Sequence, residues 1–166
     1  MRFLLRSFIF LLLILWVGGS MFFPIVAASA FSVLPVHQAG MVVGKSLKTL
    51  QLEGLVAGIL LLALLVVAQR MRAFSRNLIA PMVLVVLMLG LTGFSQFSII
   101  PRMDNDMVDA GGMIETVPAD NPYRQDFNRL HHESVNVFGA ALIGGILASV
   151  AVAWAAAPGA KSTPQP

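Results

Sequence analysis

The sequence predicts an all-α fold: a four-helix transmembrane bundle with a short interfacial amphipathic helix before span 2. Two observations carry this expectation. Four long apolar runs, at residues 3–31, 53–68, 78–100 and 135–157, are separated by three polar interruptions. About 20 apolar residues cross a bilayer core as a helix, and in lipid only helices and closed barrels satisfy their own backbone hydrogen bonds. The composition agrees, with 57% hydrophobic and 11% charged residues and a mean hydropathy of +0.83. Soluble domains carry about 25% charged residues, so most of this surface is expected to face lipid.

Span 1 opens behind Arg2 and Arg6. Ala28-Ser29-Ala30 has the look of a signal-peptidase site, but the apolar run before it exceeds the 7–15 residues of a secretory signal core. It is therefore read as a retained span. Pro24 removes one helical hydrogen bond and is expected to kink the helix near Ser20. Between Ala39 and Leu52, apolar Met41, Val42, Val43, Leu47 and Leu50 alternate with Lys45, Ser46 and Lys48. This is the expected interfacial helix. Span 2 is short, at 53–68, and ends in the basic turn Gln69-Arg70-Met71-Arg72 with Arg76. Span 3 is expected to end at Pro101. The connection 102–122, with Gly111-Gly112, Pro118 and Pro122, reads as an acidic loop. Span 4 starts in a polar turn at Tyr123 and stops at Pro158-Gly159. Residues 1–158 form the single domain and 159–166 a flexible tail.

Cysteine is absent, which excludes disulfides, thiolate metal sites and cysteine nucleophiles. The net charge of +3 sits at helix ends, so it reads as topology and not as nucleic-acid binding. Arg2, Arg6, Arg70, Arg72, Arg76 and Lys161 fall on one side. The positive-inside rule then puts both termini in the cytoplasm.

The densest polar constellation is Arg124–Asn136. On a helix, Gln125, Arg129, His132 and Asn136 share one stripe and Asn128 lies beside it. His131 falls on a neighbouring face. Adjacent histidines point about 100° apart and cannot both ligate one metal from a regular helix, so a metal or haem would need His37 as a partner. No cofactor is assigned. The bland alternative is a polar cap of span 4 at the headgroups. Asn136, placed one turn inside the apolar run, and Gln96 in span 3 are expected to face the bundle interior, because unpaired polar groups in hydrocarbon are costly. The candidate polar site is thus His131, Arg129, Asn136, Asn128, Gln96 and His37.

Gly54-xxx-Gly58, Ala140-xxx-Gly144 and Ala141-xxx-Gly145 let helix backbones approach closely. Packing within the bundle is expected of them, with a homo-oligomer as the alternative. Asp104-Asn105-Asp106, with Glu115 at the twelfth position, faintly follows a calcium loop. Asp109 replaces its turn glycine, so a solvated loop is expected. No phosphate loop, nucleophile elbow or H-E-x-x-H occurs.

Several ordered motifs resemble the transmembrane protein 205-like family of four-helix membrane proteins, labelled in bacteria a domain of unknown function. They are Trp16-Val17-Gly18-Gly19 with Phe22-Phe23, Ala27 and Phe31; then Ala39-Gly40 and Ile100-Pro101-Arg102. The last is Phe127-x-x-Leu130-His131 with Ser134 and Asn136. Ala28 departs from the pattern, in which proline often follows the alanine at 27. The resemblance spans about residues 10–155, implies four membrane helices with no established activity, and points to His131 as the signature histidine. Three functions compete: a non-enzymatic membrane accessory or stress-related protein, a haem- or redox-associated protein, and a small oligomeric transporter or channel. The bilayer is the one partner the composition itself demands.

Overall fold

In the computed structural model, residues 1–157 are described, and every regular element among them is helical. Span 1 comprises α1 (Arg2–Leu13) and α2 (Gly19–Val33), joined by the wider turn Ile14–Gly18. Helix α3 (Val36–Arg70) carries span 2. Span 3 comprises α4 (Ile79–Phe94) and α5 (Ile100–Asp109), joined by a second wide turn, Ser95–Ile99. Helix α6 (Pro122–Ala156) carries span 4. All four are long and apolar enough to cross a membrane. The expected stop at Pro158-Gly159 and the tail 159–166 lie outside the described residues.

At one end of the bundle the chain closes on itself. Arg6 Nε donates to the Ala73 carbonyl at 2.6 Å, Ser75 N donates to the Ala155 carbonyl at 3.0 Å, and the Arg76 guanidinium lies 4.0 Å from the Trp154 ring centroid. The start of span 1, the 70–78 turn and the end of α6 therefore share this basic end. Arg72, at φ 46°, makes the left-handed residue of the turn that stops α3, and Ala73 N reaches back to the Ala68 carbonyl.

At the other end the helices outrun the bilayer. A helix of 35 residues is about 52 Å long, against about 30 Å of hydrocarbon. Measured from the basic end, roughly the first 20 residues of each helix cross the core. The first four turns of α3, all of α5 and residues 122–135 of α6 then form a rim outside it.

Three expectations change here. Residues 39–52 are helical, but they run without a break into span 2 as the upper part of α3. Nothing between them and Glu53 breaks a helix, so no separate interfacial element forms. Span 3 does not end at Pro101. The wide turn 95–99 closes just before it, so Pro101 sits in the first turn of α5, where its missing N–H is tolerated. The acidic segment 102–109 is therefore helix and not loop. Gly111 and Gly112, at φ 89° and 92°, stop it, with Gly112 N bonded to the Met107 carbonyl and Gly111 N to the Val108 carbonyl. In span 1 a wide turn lies at Ile14–Gly18 and Pro24 lies inside α2.

The core is built on small residues. Trp16, 4% exposed, lies across Gly54 and Gly58 of α3. A Cβ at 54 would overlap its indole nitrogen, and one at 58 would lie 2.5 Å from its Cζ3. Met88 of α4 and Val17 fill the corresponding hollow at Gly145 of α6. Both small-residue faces are thus occupied from within the bundle.

Candidate functional site: an inner polar node and a charged rim

The inner node lies where the two wide turns meet α3. Such turns add a residue to the helical repeat and re-aim the side chains around them. Trp16 and Ser95 sit on them. Gln51 of α3, 4% exposed, donates through Nε2 to Ser95 Oγ at 2.9 Å. Its Oε1 is buried without a partner in the protein. Ser20 Oγ donates to the Trp16 carbonyl at 2.9 Å. Ser20, Gln51, Thr92 and Ser95 line a cavity of about 20 Å³ together with Trp16 and Met88. A space of about 10–15 Å³ holds one water, so the node has room for one water against the free Gln51 oxygen and no more.

A double-mutant cycle on Gln51→Ala and Ser95→Ala in detergent is expected to give a coupling of about 0.5–2 kcal/mol. Additive losses in thermal stability would show that the two side chains do not hold each other.

The rim joins α3, α5 and α6 through charge. Lys48 Nζ meets the Asp104 carboxylate at 2.6 and 2.8 Å. Asp126 of α6 receives the Arg102 guanidinium of α5 at 3.6 Å and pairs with Arg129 on its own helix. Arg129 also faces Glu133 at 3.9 Å. Asp106 lies between α5 and α6 with Oδ2 buried and unpartnered. Burial, and next the Asp126 carboxylate, push the Asp106 carboxyl above the usual carboxylate range. Asn121 caps α6 by accepting from Tyr123 N at 2.9 Å and Arg124 N at 3.3 Å.

The sequence candidates do not converge on one site. Arg129 joins the rim network. His37 pairs with Glu115 of the 110–121 connection at 3.1 Å. His131 stacks on Phe127, with ring centroids 6.4 Å apart and planes at 3°, and meets His132 edge-on. Desolvation first, and the neighbouring His132 next, hold the His131 imidazole below its ordinary pKa. Asn128 is exposed, and its carbonyl bonds His132 Nδ1 at 2.7 Å.

Gln96 is half-buried, with its Oε1 enclosed and unpartnered. Asn136 does not face the interior: it is exposed. It lies about 30 Å along α6 from Ala156, at the far edge of the hydrocarbon rather than a turn inside it, where headgroups and water satisfy an amide. The start of span 4 leans on α5 through Arg102 and Asp126. Among the described residues no three His, Asp or Glu side chains gather as a metal site.

Sequence reasoning missed Gln51 and Asp106. Gln51, Gly54 and Gly58 share one face of α3, and that spacing was the available signal for Gln51. Asp106 had none while its segment read as loop.

The sequence model of a family described as a domain of unknown function, DUF4149, matches residues 11–111. That range takes in most of span 1, span 2 and span 3, and stops before α6. No curated protein and no solved structure matches the chain.

Proposed function

The chain belongs to the DUF4149 family, and from that premise we propose a non-enzymatic multi-pass membrane accessory protein that works through its charged rim. The observation carrying this reading is how the polar groups are divided. Those inside the bundle line a space of about 20 Å³, room for about one water. Those outside form an interhelical network in which Arg102 and Arg129 remain more than half exposed. A rim of this kind offers fixed charges to a partner or to headgroups without committing the core. The transmembrane protein 205-like relationship is part of the same proposal and rests on the ordered motifs of spans 1, 3 and 4.

The test has two arms. Proteoliposomes holding the purified chain should show no ion or dye flux above empty vesicles. In cells, the membrane-stress sensitivity of a deletion strain should be restored by the wild type and not by an Arg102→Glu/Arg129→Glu variant present at equal level in the membrane. Flux above background, or full rescue by the charge-reversed variant, would overturn the proposal.

The same reading places both termini in the cytoplasm. Its support is the asymmetry of charge: Arg2, Arg6, Arg70, Arg72 and Arg76 gather at the end closed by Arg6 and Ala73, while seven of the eight acids lie between Asp104 and Glu133. Reporter fusions at Pro166 are expected to be active only as cytoplasmic reporters, and fusions near Gly111 only as exported ones. Exported activity at Pro166 would reverse the orientation.

A further inference from the structure

Glu53 is the one acid that lies outside the 104–133 stretch. It lies on α3 about 25 Å from Arg70, and so inside a hydrocarbon layer of about 30 Å. The Lys48–Asp104 pair, about 33 Å along α3 from Arg70, marks the level just outside it. Glu53 is exposed on the outer face of the bundle. It lines a groove of about 440 Å³ between span 1 and α3, together with Leu12, Leu15, Thr49, Val56 and Leu60. That volume falls within the about 300–1,000 Å³ of small-ligand sites. Every other lining side chain is apolar except Thr49, whose hydroxyl donates to the Lys45 carbonyl at 3.1 Å and leaves its oxygen free to accept.

A carboxylate facing lipid is expensive unless a countercharge meets it, and among the described residues no ion pair to Glu53 forms. Helical side chains lean toward the helix N-terminus, which for α3 is the rim side. The carboxylate therefore reaches up toward the headgroups while the apolar part of the groove extends below it.

We propose that this groove is a binding site for a primary-amine phospholipid of the surrounding bilayer. The ammonium donates to the Glu53 carboxylate and to Thr49 Oγ1, and one acyl chain lies along Leu12, Leu15, Val56 and Leu60. The site selects a headgroup that is both cationic and a hydrogen-bond donor. A quaternary choline has the charge without the donors, and a glycerol headgroup has neither the charge nor the ammonium geometry.

The experiment uses the full chain in nanodiscs and reads lipid retention by native mass spectrometry and melting temperature. Discs of phosphatidylethanolamine, phosphatidylcholine and phosphatidylglycerol are compared. The wild type should retain phosphatidylethanolamine several-fold over the other two and melt higher with it. Glu53→Gln keeps the shape and removes the charge, and should abolish the preference. Val56→Trp, at an exposed position, should block the groove and reduce retention of the bound lipid while Glu53 is intact. Equal retention of all three lipids, or an unchanged preference in Glu53→Gln, would overturn the proposal. So would a cross-linked dimer through Val56→Cys at high yield, because a second copy would then cover the groove. These outcomes are independent of the rim variants, which leave Glu53 untouched.

Discussion

Gly58→Ala is expected to lower the stability of the bundle by about 1–3 kcal/mol, the range for overpacking a filled core, and Gly58→Leu by more. The new Cβ would stand 2.5 Å from Trp16 Cζ3 and 2.7 Å from Leu89 Cδ2. Leu89 can turn away, but the indole is rigid and held at 4% exposure between α3 and its neighbours. Relief would require span 1 to move off α3, which would also open the cavity beside Gln51. Gly90→Ala is the control, since a Cβ there meets nothing within 4 Å and alanine favours the helix. Thermal unfolding in detergent separates the two. In a Trp154→Phe background, Trp16 fluorescence reports the displacement directly. Gly58→Ala melting with the wild type would mean that the indole does not occupy this face in the folded protein.

The joint replacement of Gly144 and Gly145 by leucine carries the second large expected effect. At 145 an added Cβ would lie 2.8 Å from Val17 Cγ2 and 2.9 Å from Met88 Cε, and at 144 it would lie 3.2 Å from Met88 Cγ. Methionine is adaptable, so Met88 alone would absorb part of the insult. Val17 is β-branched and stiff and lies on the wide turn of span 1, so it cannot. The double variant should melt well below the wild type. Adding Met88→Ala should recover part of the loss, because neighbours that share one space are not additive. An unchanged melting profile would mean that this face of α6 touches only lipid. Lack of recovery with Met88→Ala would place the strain on Val17.

Lipid imposes its own rules on what can be read from a sequence. The four spans and the chain reversals were legible because a bilayer demands long apolar helices, and the basic turn at 70–76 interrupts them visibly. The role of Gly54, Gly58, Gly144 and Gly145 as packing positions was legible too, since close helix approach needs small residues at that spacing. The extent of the helices was not. Pro101 looks like a terminator until the wide turn before it is known, and the Asp-rich stretch after it reads as loop for the same reason. Asn136 was misplaced because hydropathy marks the onset of an apolar run, not its height in the bilayer. That height depends on where α6 is pinned at its other end, through Ala155 and Trp154.

By itself, the sequence determined the fold class, the number of spans, the gathering of arginines at the 70–76 turn and the positions where helices touch. These depend on composition and local spacing, and the membrane turns both into structure with few alternatives. Only the tertiary structure decided which polar side chains meet. Gln51 finds Ser95 across 44 positions of chain, Arg102 finds Asp126, and Glu53 is left facing a groove. Such pairings follow from how helices of unequal length are rotated and staggered against one another. That rotation is set by the fit of Trp16, Val17 and Met88 into glycine hollows, a property of shapes in contact that residue spacing along one helix does not contain.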